Sequence, residues 1–224
     1  AADPEAVARL DELARANTWA ARFAALHPRV FVPRVRSAEY VSARCAQARG
    51  VVVFPVSIGW GVDLFQRPHH LARWFARRGY VAVYDNSAWD DDFAGFKEVE
   101  PDVFLYRGTP DTLHALPNPL VWTFCYNLTL KDGYPRGTRV VYDLIDDFAV
   151  HPFDPALLQA NHRRALREAD VVAYVARQLE PFVAERPDAL YLPNGVEDEF
   201  FADPHVTRPP DADFERVLAA GRPI

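Results

Sequence analysis

Val51-Val-Val-Phe-Pro-Val56 is a continuous apolar run. Ser57-Ile-Gly-Trp-Gly-Val-Asp-Leu-Phe-Gln-Arg-Pro-His-His70 follows it, and then a helical pattern closes at Gly79. Apolar residues without alternation read as a strand buried on both faces, the habit of a parallel sheet. The spacing of Leu71, Trp74 and Phe75 predicts a helix from about Pro68 to Arg78, with proline at its start and glycine past its end. Strand, loop and helix make the first half of a βαβ unit. Working outward, Tyr80–Tyr84 and Asp102–Tyr106 supply a second and third strand. Leu120–Cys125, Arg139–Tyr142, Val171–Tyr174 and Ala189–Leu192 supply four more, with helices expected over Asp154–Ala169 and Arg177–Ala184. Strands alternating with helices predict an α/β, Rossmann-like, doubly wound and mainly parallel sheet with helices on both faces.

Upstream, Asp3 to Leu26 keeps helical spacing, with Asp3 as cap and Pro4 in the first turn. The His27-Pro28 and Val32-Pro33 steps break that helix, and Ser37–Ala48 reads as a second, shorter one. The expected organisation is a helical N-terminal extension over 1–49, the Rossmann-like domain over 50–205 and a linker over 206–224. The tail turns polar and proline-rich after Asn194-Gly195.

Composition narrows the class. The chain has 224 residues, of which 50% are hydrophobic and 25% charged, with a net charge of −6. That suits a globular domain and excludes a disordered or strongly basic nucleic-acid-binding chain. Lys97 and Lys131 are the only lysines, and the arginines are spread along the chain without a basic tract. Cys45 and Cys125 have no Cys-x-x-Cys neighbour or ligand-spaced histidine, so neither a disulfide framework nor a zinc ribbon is expected. No apolar run reaches the ~20 residues of a membrane span, and residues 1–28 lack a signal-peptide core. The absence of Met reads as an excerpt of a longer protein.

In an open α/β sheet, ligands bind beyond the carboxyl ends of the strands. Gly59 and Gly61 would let the backbone approach a bound group, and the helix begun at Pro68 offers free N–H groups to an anion such as phosphate. A dinucleotide fingerprint is opposed by Leu64 at the third glycine position and by the late helix start, although Asp85 ends the second strand. Adjacent His69 and His70 point about 100° apart on a helix and do not share a metal. Arg67 can hold a carboxylate, a phosphate or a neighbouring Asp. Tyr142-Asp143-Leu-Ile-Asp146-Asp147-Phe148 sets three carboxylates at a strand end. They need donors, a cation or a polyhydroxyl ligand; a sugar, a magnesium ion, and a helix cap or Arg pair are the competing readings. Asp90-Asp91-Asp92 reads as a solvated loop.

The stretch Gly61-Val-Asp-Leu-Phe-Gln-Arg-Pro-His-His-Leu-Ala-Arg-Trp-Phe-Ala-Arg-Arg-Gly-Tyr80 resembles the opening of the N-terminal domain of GT-B glycosyltransferases of the family 4 type. Further matches follow in order: Tyr142-Asp143-x-x-Asp146-Asp147-Phe148, Ala165-Leu-Arg-Glu-Ala-Asp170, and Leu192-Pro-Asn-Gly-Val-Glu197 with Phe200-Phe201. The resemblance implies metal-independent transfer of a sugar from a nucleotide-sugar to an acceptor hydroxyl, usually with retention, in surface polysaccharide or glycoconjugate synthesis. It assigns catalysis to Asp146 and Asp147. It assigns substrate contacts to Gly59, Trp60, Gly61, Gln66, Arg67, His69, His70, Asp143, Phe148 and Asn194. No resident cofactor or metal is implied, since the nucleotide-sugar is a donor substrate held mainly by a C-terminal domain of the same protein. Nothing in this sequence matches that donor domain, so the chain reads as the acceptor half, inactive alone, with a glycan acceptor and the donor domain as partners. Its expected location is the cytoplasm or the inner face of the membrane. A non-catalytic sugar- or nucleotide-binding module of the same fold is the alternative, and a nicotinamide-dependent reductase a third reading.

Overall fold

The computed structural model describes Arg9, Thr18 and residues 34–195. The chain divides into two compact units, residues 1–192 and 193–224, and residues 193–195 are the described part of the second. Apart from Arg9 and Thr18, the helix expected over 3–26 lies outside the described residues, as does the linker expected over 206–224.

Within the first unit the strands are β1 (Arg34–Arg36), β2 (Val51–Phe54), β3 (Val81–Asp85), β4 (Gly95–Glu100), β5 (Val103–Arg107), β6 (Leu120–Thr123), β7 (Arg139–Leu144), β8 (Val171–Tyr174) and β9 (Leu190–Tyr191). The helices are α1 (Ala38–Gln47), α2 (Arg67–Arg77), α3 (Pro110–His114) and α4 (Pro155–Glu168). One sheet has the order β1-β4-β5-β3-β2-β6-β7-β8-β9. Its seven strands from β5 to β9 in that order pair in parallel, and β4 pairs antiparallel with both β1 and β5. From β2 the chain winds outward through β3 to β5, then returns to β6 and winds the other way to β9. The topological switch therefore lies between β2 and β6, and the ligand crevice of such a sheet opens beyond their carboxyl ends.

Side-chain alternation explains why the fold is doubly wound. Val51 and Val53 of β2 pack with Val41 and Cys45 of α1 and Leu113 of α3. Val52 and Phe54, on the opposite face, pack with Ala72 of α2 and Trp122. Farther along, Leu158, Ala165 and Leu166 of α4 cover Tyr142, Leu144 and Val172. Each large side chain so buried contributes about 1.5–3 kcal/mol. Caps set the helix starts: Ser37 Oγ accepts from the Tyr40 N–H (3.2 Å), and Asp154 accepts from Ala156 N–H (2.9 Å) ahead of Pro155.

Several segments differ from expectation. Residues 34–48, expected in a helical extension, are built into the sheet through β1 and into the core through Val41 and Cys45. The stretch before the third strand contains β4, whose Glu98 is buried because Arg36 of β1 pairs with it at 2.6 Å. A buried charge paired across two strands hides the apolar alternation that marks a strand in sequence. Asp102 turns the chain between β4 and β5 at φ +61°, and Arg44 of α1 grips its two carboxylate oxygens at 2.7 and 2.8 Å. Arg177–Val183 is a 3-10 helix, since Pro181 within it has no N–H to give an α-helical ladder. The acidic loop is not simply solvated: Asp91 accepts from the Asn86 amide and Asp90 pairs with Arg107 at 3.7 Å. Both cysteines are buried free thiols.

Candidate functional site

The loop after β2 is the first wall of the crevice, and it is pinned from Ser57 to Trp60. Tyr84 Oη donates to the Ile58 carbonyl (2.7 Å), Trp60 N–H donates to Asn86 Oδ1 (3.0 Å), and the Ser57 and Tyr126 hydroxyls share a hydrogen bond of 2.7 Å. His69, fully buried, accepts the Gln66 N–H at Nδ1 (3.0 Å), which leaves Nε2–H to donate to the Gly59 carbonyl at 3.0 Å. Burial pushes its pKa down, so the neutral ring is the form this geometry requires. His69 also stacks between Phe65 and Tyr84, with Trp60 edge-on at 5.2 Å. Gly59 is needed because a Cβ there would lie 2.8 Å from the Trp89 ring, whereas Gly61 is exposed with open space around it. Gln66 is exposed, and its side-chain amide donates to the Leu64 carbonyl (3.2 Å); His70 is half-buried against Phe65.

Of the partners expected for Arg67, the structure shows an Asp of the protein itself. Arg67 donates through Nε to Asp143 Oδ2 at 2.7 Å and through Nη2 to Oδ1 at 3.2 Å, and Trp122 Nε1 donates to Asp143 Oδ2 at 3.0 Å. Asp143 is fully buried, so this pair fastens the helix start to the end of β7 in a low-dielectric setting. Asp147 caps the 3-10 turn Phe148–Val150 by accepting from Ala149 N–H at 2.9 Å. Phe148 is a core residue against His162 and Phe182. The three carboxylates of the Asp143–Asp147 stretch are thus not one cluster. Among the described residues no group of three His, Cys, Asp or Glu side chains is placed to hold a metal ion. Asp85, the acid of the dinucleotide alternative, accepts from Ser87 N–H at 3.0 Å, and its pKa is raised by burial. Asn194 belongs to the second unit and is exposed.

Asp146 and Asp147 are both exposed, and Asp146 is the one of the two without a cap to make. No hydrogen bond or ion pair engages it among the described residues, and its charge raises the pKa values of Tyr126 and Cys125 beyond the larger effect of burial. Burial first, then neighbouring negative charge, pushes the Tyr126 phenol up to about 12, so it is a neutral hydroxyl at physiological pH. Around it lie Phe153, exposed and stacked on Tyr126 at 5.6 Å, and His151, whose ring is 5.3 Å from Tyr126 and whose buried Nε2 has no hydrogen-bond partner among the described residues. Asn127 ties this second wall to the first, donating to the Val56 carbonyl at 3.0 Å across the switch point and accepting from Phe124 N–H at 2.7 Å.

No protein-family model matches the chain, and no curated protein matches it.

Sequence reasoning missed Ser57, Tyr126, Asn127 and His151. The signal available for the middle two was position alone: Phe124-Cys-Tyr-Asn127 follows the strand across the switch from β2, where the two loops must meet. His151 lies in an irregular segment whose course past the strand end no pattern marks.

Proposed function

We propose that this chain is the acceptor-binding half of a GT-B glycosyltransferase that moves a sugar from a nucleotide-sugar to an acceptor hydroxyl. The observation that carries the reading is the crevice at the switch point. There, around Tyr126, lie a carboxylate with no hydrogen-bond or ion-pair partner among the described residues (Asp146), a neutral hydroxyl pair (Ser57 and Tyr126 itself), an imidazole nitrogen with no hydrogen-bond partner among those residues (His151) and an exposed aromatic face (Phe153). Hydroxyl-rich ligands need these groups: a carboxylate accepts from two hydroxyls, a phenol gives and accepts, and an aromatic face covers the apolar side of a sugar ring. The in-order motif resemblance supports the same reading, and the engagement of Asp143 and Asp147 within the protein leaves Asp146 as the residue for acceptor chemistry.

The nucleotide-sugar donor belongs mainly to a second domain of the same protein, so this half binds acceptor without turning over donor. Among the described residues no helix is long and apolar enough to cross a membrane, and we assign the work to the cytoplasm or the inner membrane face, in the synthesis of surface polysaccharide or glycoconjugates. A non-catalytic sugar-binding module would use the same crevice and differs only in lacking transfer. The test is a panel of bacterial-type oligosaccharides titrated into the chain, with a parallel titration of NADH and NADPH. The expected result is saturable glycan binding and no nicotinamide binding; failure of every glycan, or binding of the dinucleotide, overturns the proposal.

A further inference from the structure

A cavity of about 900 Å³ opens at the opposite end of the sheet, where the loops leading into β2, β6 and β7 meet. Those strands are 4 to 6 residues long, which sets this cavity about 13–20 Å from the crevice, at ~3.3 Å per residue. Its size suits a small-molecule ligand.

The lining is chemically biased. Arg49, Arg136, Arg139 and His114 contribute to it and no Asp or Glu does, in a chain whose 31 acidic residues outnumber 25 basic ones. Helices α1 and α2 both end near this rim, and the negative ends of their dipoles account for one arginine. Arg49 donates to the Arg78 carbonyl at 3.4 Å and lies over the Tyr80 ring at 5.4 Å. Arg136 and Arg139 have no such duty: both are exposed, and among the described residues neither side chain makes a hydrogen bond, ion pair or ring contact. Two guanidinium forks on one cavity whose lining holds no carboxylate match phosphoryl groups, which accept from such forks in pairs. One wall is aromatic. Phe75 and Tyr80 meet edge to face at 5.4 Å, and Tyr80 rests on Gly50, where a Cβ would come within 3.3 Å of its ring. Pro117, Pro119 and Pro135 stiffen the other loops.

We propose that this cavity is a second ligand site, taking a phosphorylated small molecule of nucleotide size with its phosphoryl groups on Arg136 and Arg139 and its ring against the Phe75–Tyr80 wall. It is independent of the crevice and of what the crevice binds.

The test is calorimetric titration of the whole chain with ADP, pyrophosphate and adenosine at physiological ionic strength. ADP binds, and pyrophosphate and adenosine each bind at least about tenfold more weakly, because each lacks half of the recognised groups. The double variant Arg136→Ala/Arg139→Ala loses at least about tenfold in ADP affinity while its urea midpoint without ligand stays that of the native chain. Asp146→Asn, in the crevice, leaves ADP affinity unchanged. No binding of ADP at about 1 mM, or affinity retained in the double variant, overturns the site. Pyrophosphate binding as tightly as ADP overturns the nucleotide assignment, and loss of ADP binding in Asp146→Asn overturns its location.

Discussion

Removing the Arg67 guanidinium isolates one of the most thoroughly buried charges in the sheet. Asp143 is 0% exposed and the Arg67 side chain 10%, so neither can turn to water when the other is removed. In Arg67→Met the carboxylate keeps only the Trp122 indole N–H at 3.0 Å. Stripping one partner from such a buried pair costs about 3–5 kcal/mol, a third or more of the ~5–15 kcal/mol that holds a typical domain together. With a urea slope of about 2 kcal/mol per molar, the midpoint moves down by about 1.5–2.5 M. The double variant Arg67→Met/Asp143→Leu removes both charges and leaves the Trp122 N–H without an acceptor, a cost of about 1–3 kcal/mol. It is therefore more stable than Arg67→Met alone, an ordering that additive losses cannot produce. Urea unfolding followed by far-UV circular dichroism, with the slope checked for constancy, reads all three proteins. An Arg67→Met midpoint within about 0.3 M of the native value, or a double variant weaker than the single, would refute the claim that this pair fastens α2 to β7.

Other outcomes follow from the same geometry. Burial pushes the pKa values of His69 and His162 down, and each ring accepts a hydrogen bond at Nδ1, from Gln66 N–H and from the Tyr142 hydroxyl. The unfolded chain therefore takes up protons near pH 6.5 that the folded chain refuses. Stability is full above about pH 6.5 and falls as pH drops below it; urea midpoints equal at pH 7.5 and 5.5 would contradict this. Gly59→Ala forces the half-exposed Trp89 ring aside at a cost of about 1 kcal/mol and shifts tryptophan emission, whereas Gly61→Ala stays within about 0.5 kcal/mol of native. Asp147→Ala loses a cap worth about 0.5–2 kcal/mol and Asp147→Asn restores it. Asp146→Asn leaves stability within about 0.5 kcal/mol yet lowers glycan affinity at least tenfold, and equal glycan affinity in the two proteins sinks the assignment of Asp146.

The parallel strands were legible because burial on both faces demands unbroken apolar runs, and Val51–Phe54 and Val81–Asp85 are buried throughout. Their ends drifted by a residue or two, since the register that ends a strand is set by its neighbour. β1 and β4 were not legible: as an antiparallel pair at one margin of the sheet they carry Arg34, Arg36, Lys97 and Glu98, and an ion pair between strands leaves no local pattern. The candidate site was legible as a region more than as a set of roles. Gly59, Arg67, His69 and Asp143 do gather at the carboxyl ends of the strands, but all four bind one another: Arg67 turned to Asp143, and His69 to the Gly59 carbonyl. A carboxylate that caps, one that pairs and one that faces solvent look alike in sequence; the difference is made by residues far away in the chain, such as Trp122 for Asp143. The Ser57–Tyr126 contact joins loops 69 positions apart and depends wholly on strand order.

The central claim is that the acceptor binds at the switch-point crevice. It is tested most directly by following backbone amide resonances of the isotopically labelled chain while a glycan that binds is added. Acceptor binding at the crevice concentrates the perturbations at Ser57–Gly61, Tyr126–Asn127 and Ile145–His151, and Asp146→Asn abolishes them. Perturbations confined to the opposite end of the sheet, around Pro117–Leu120 and Pro135–Arg139, would contradict it.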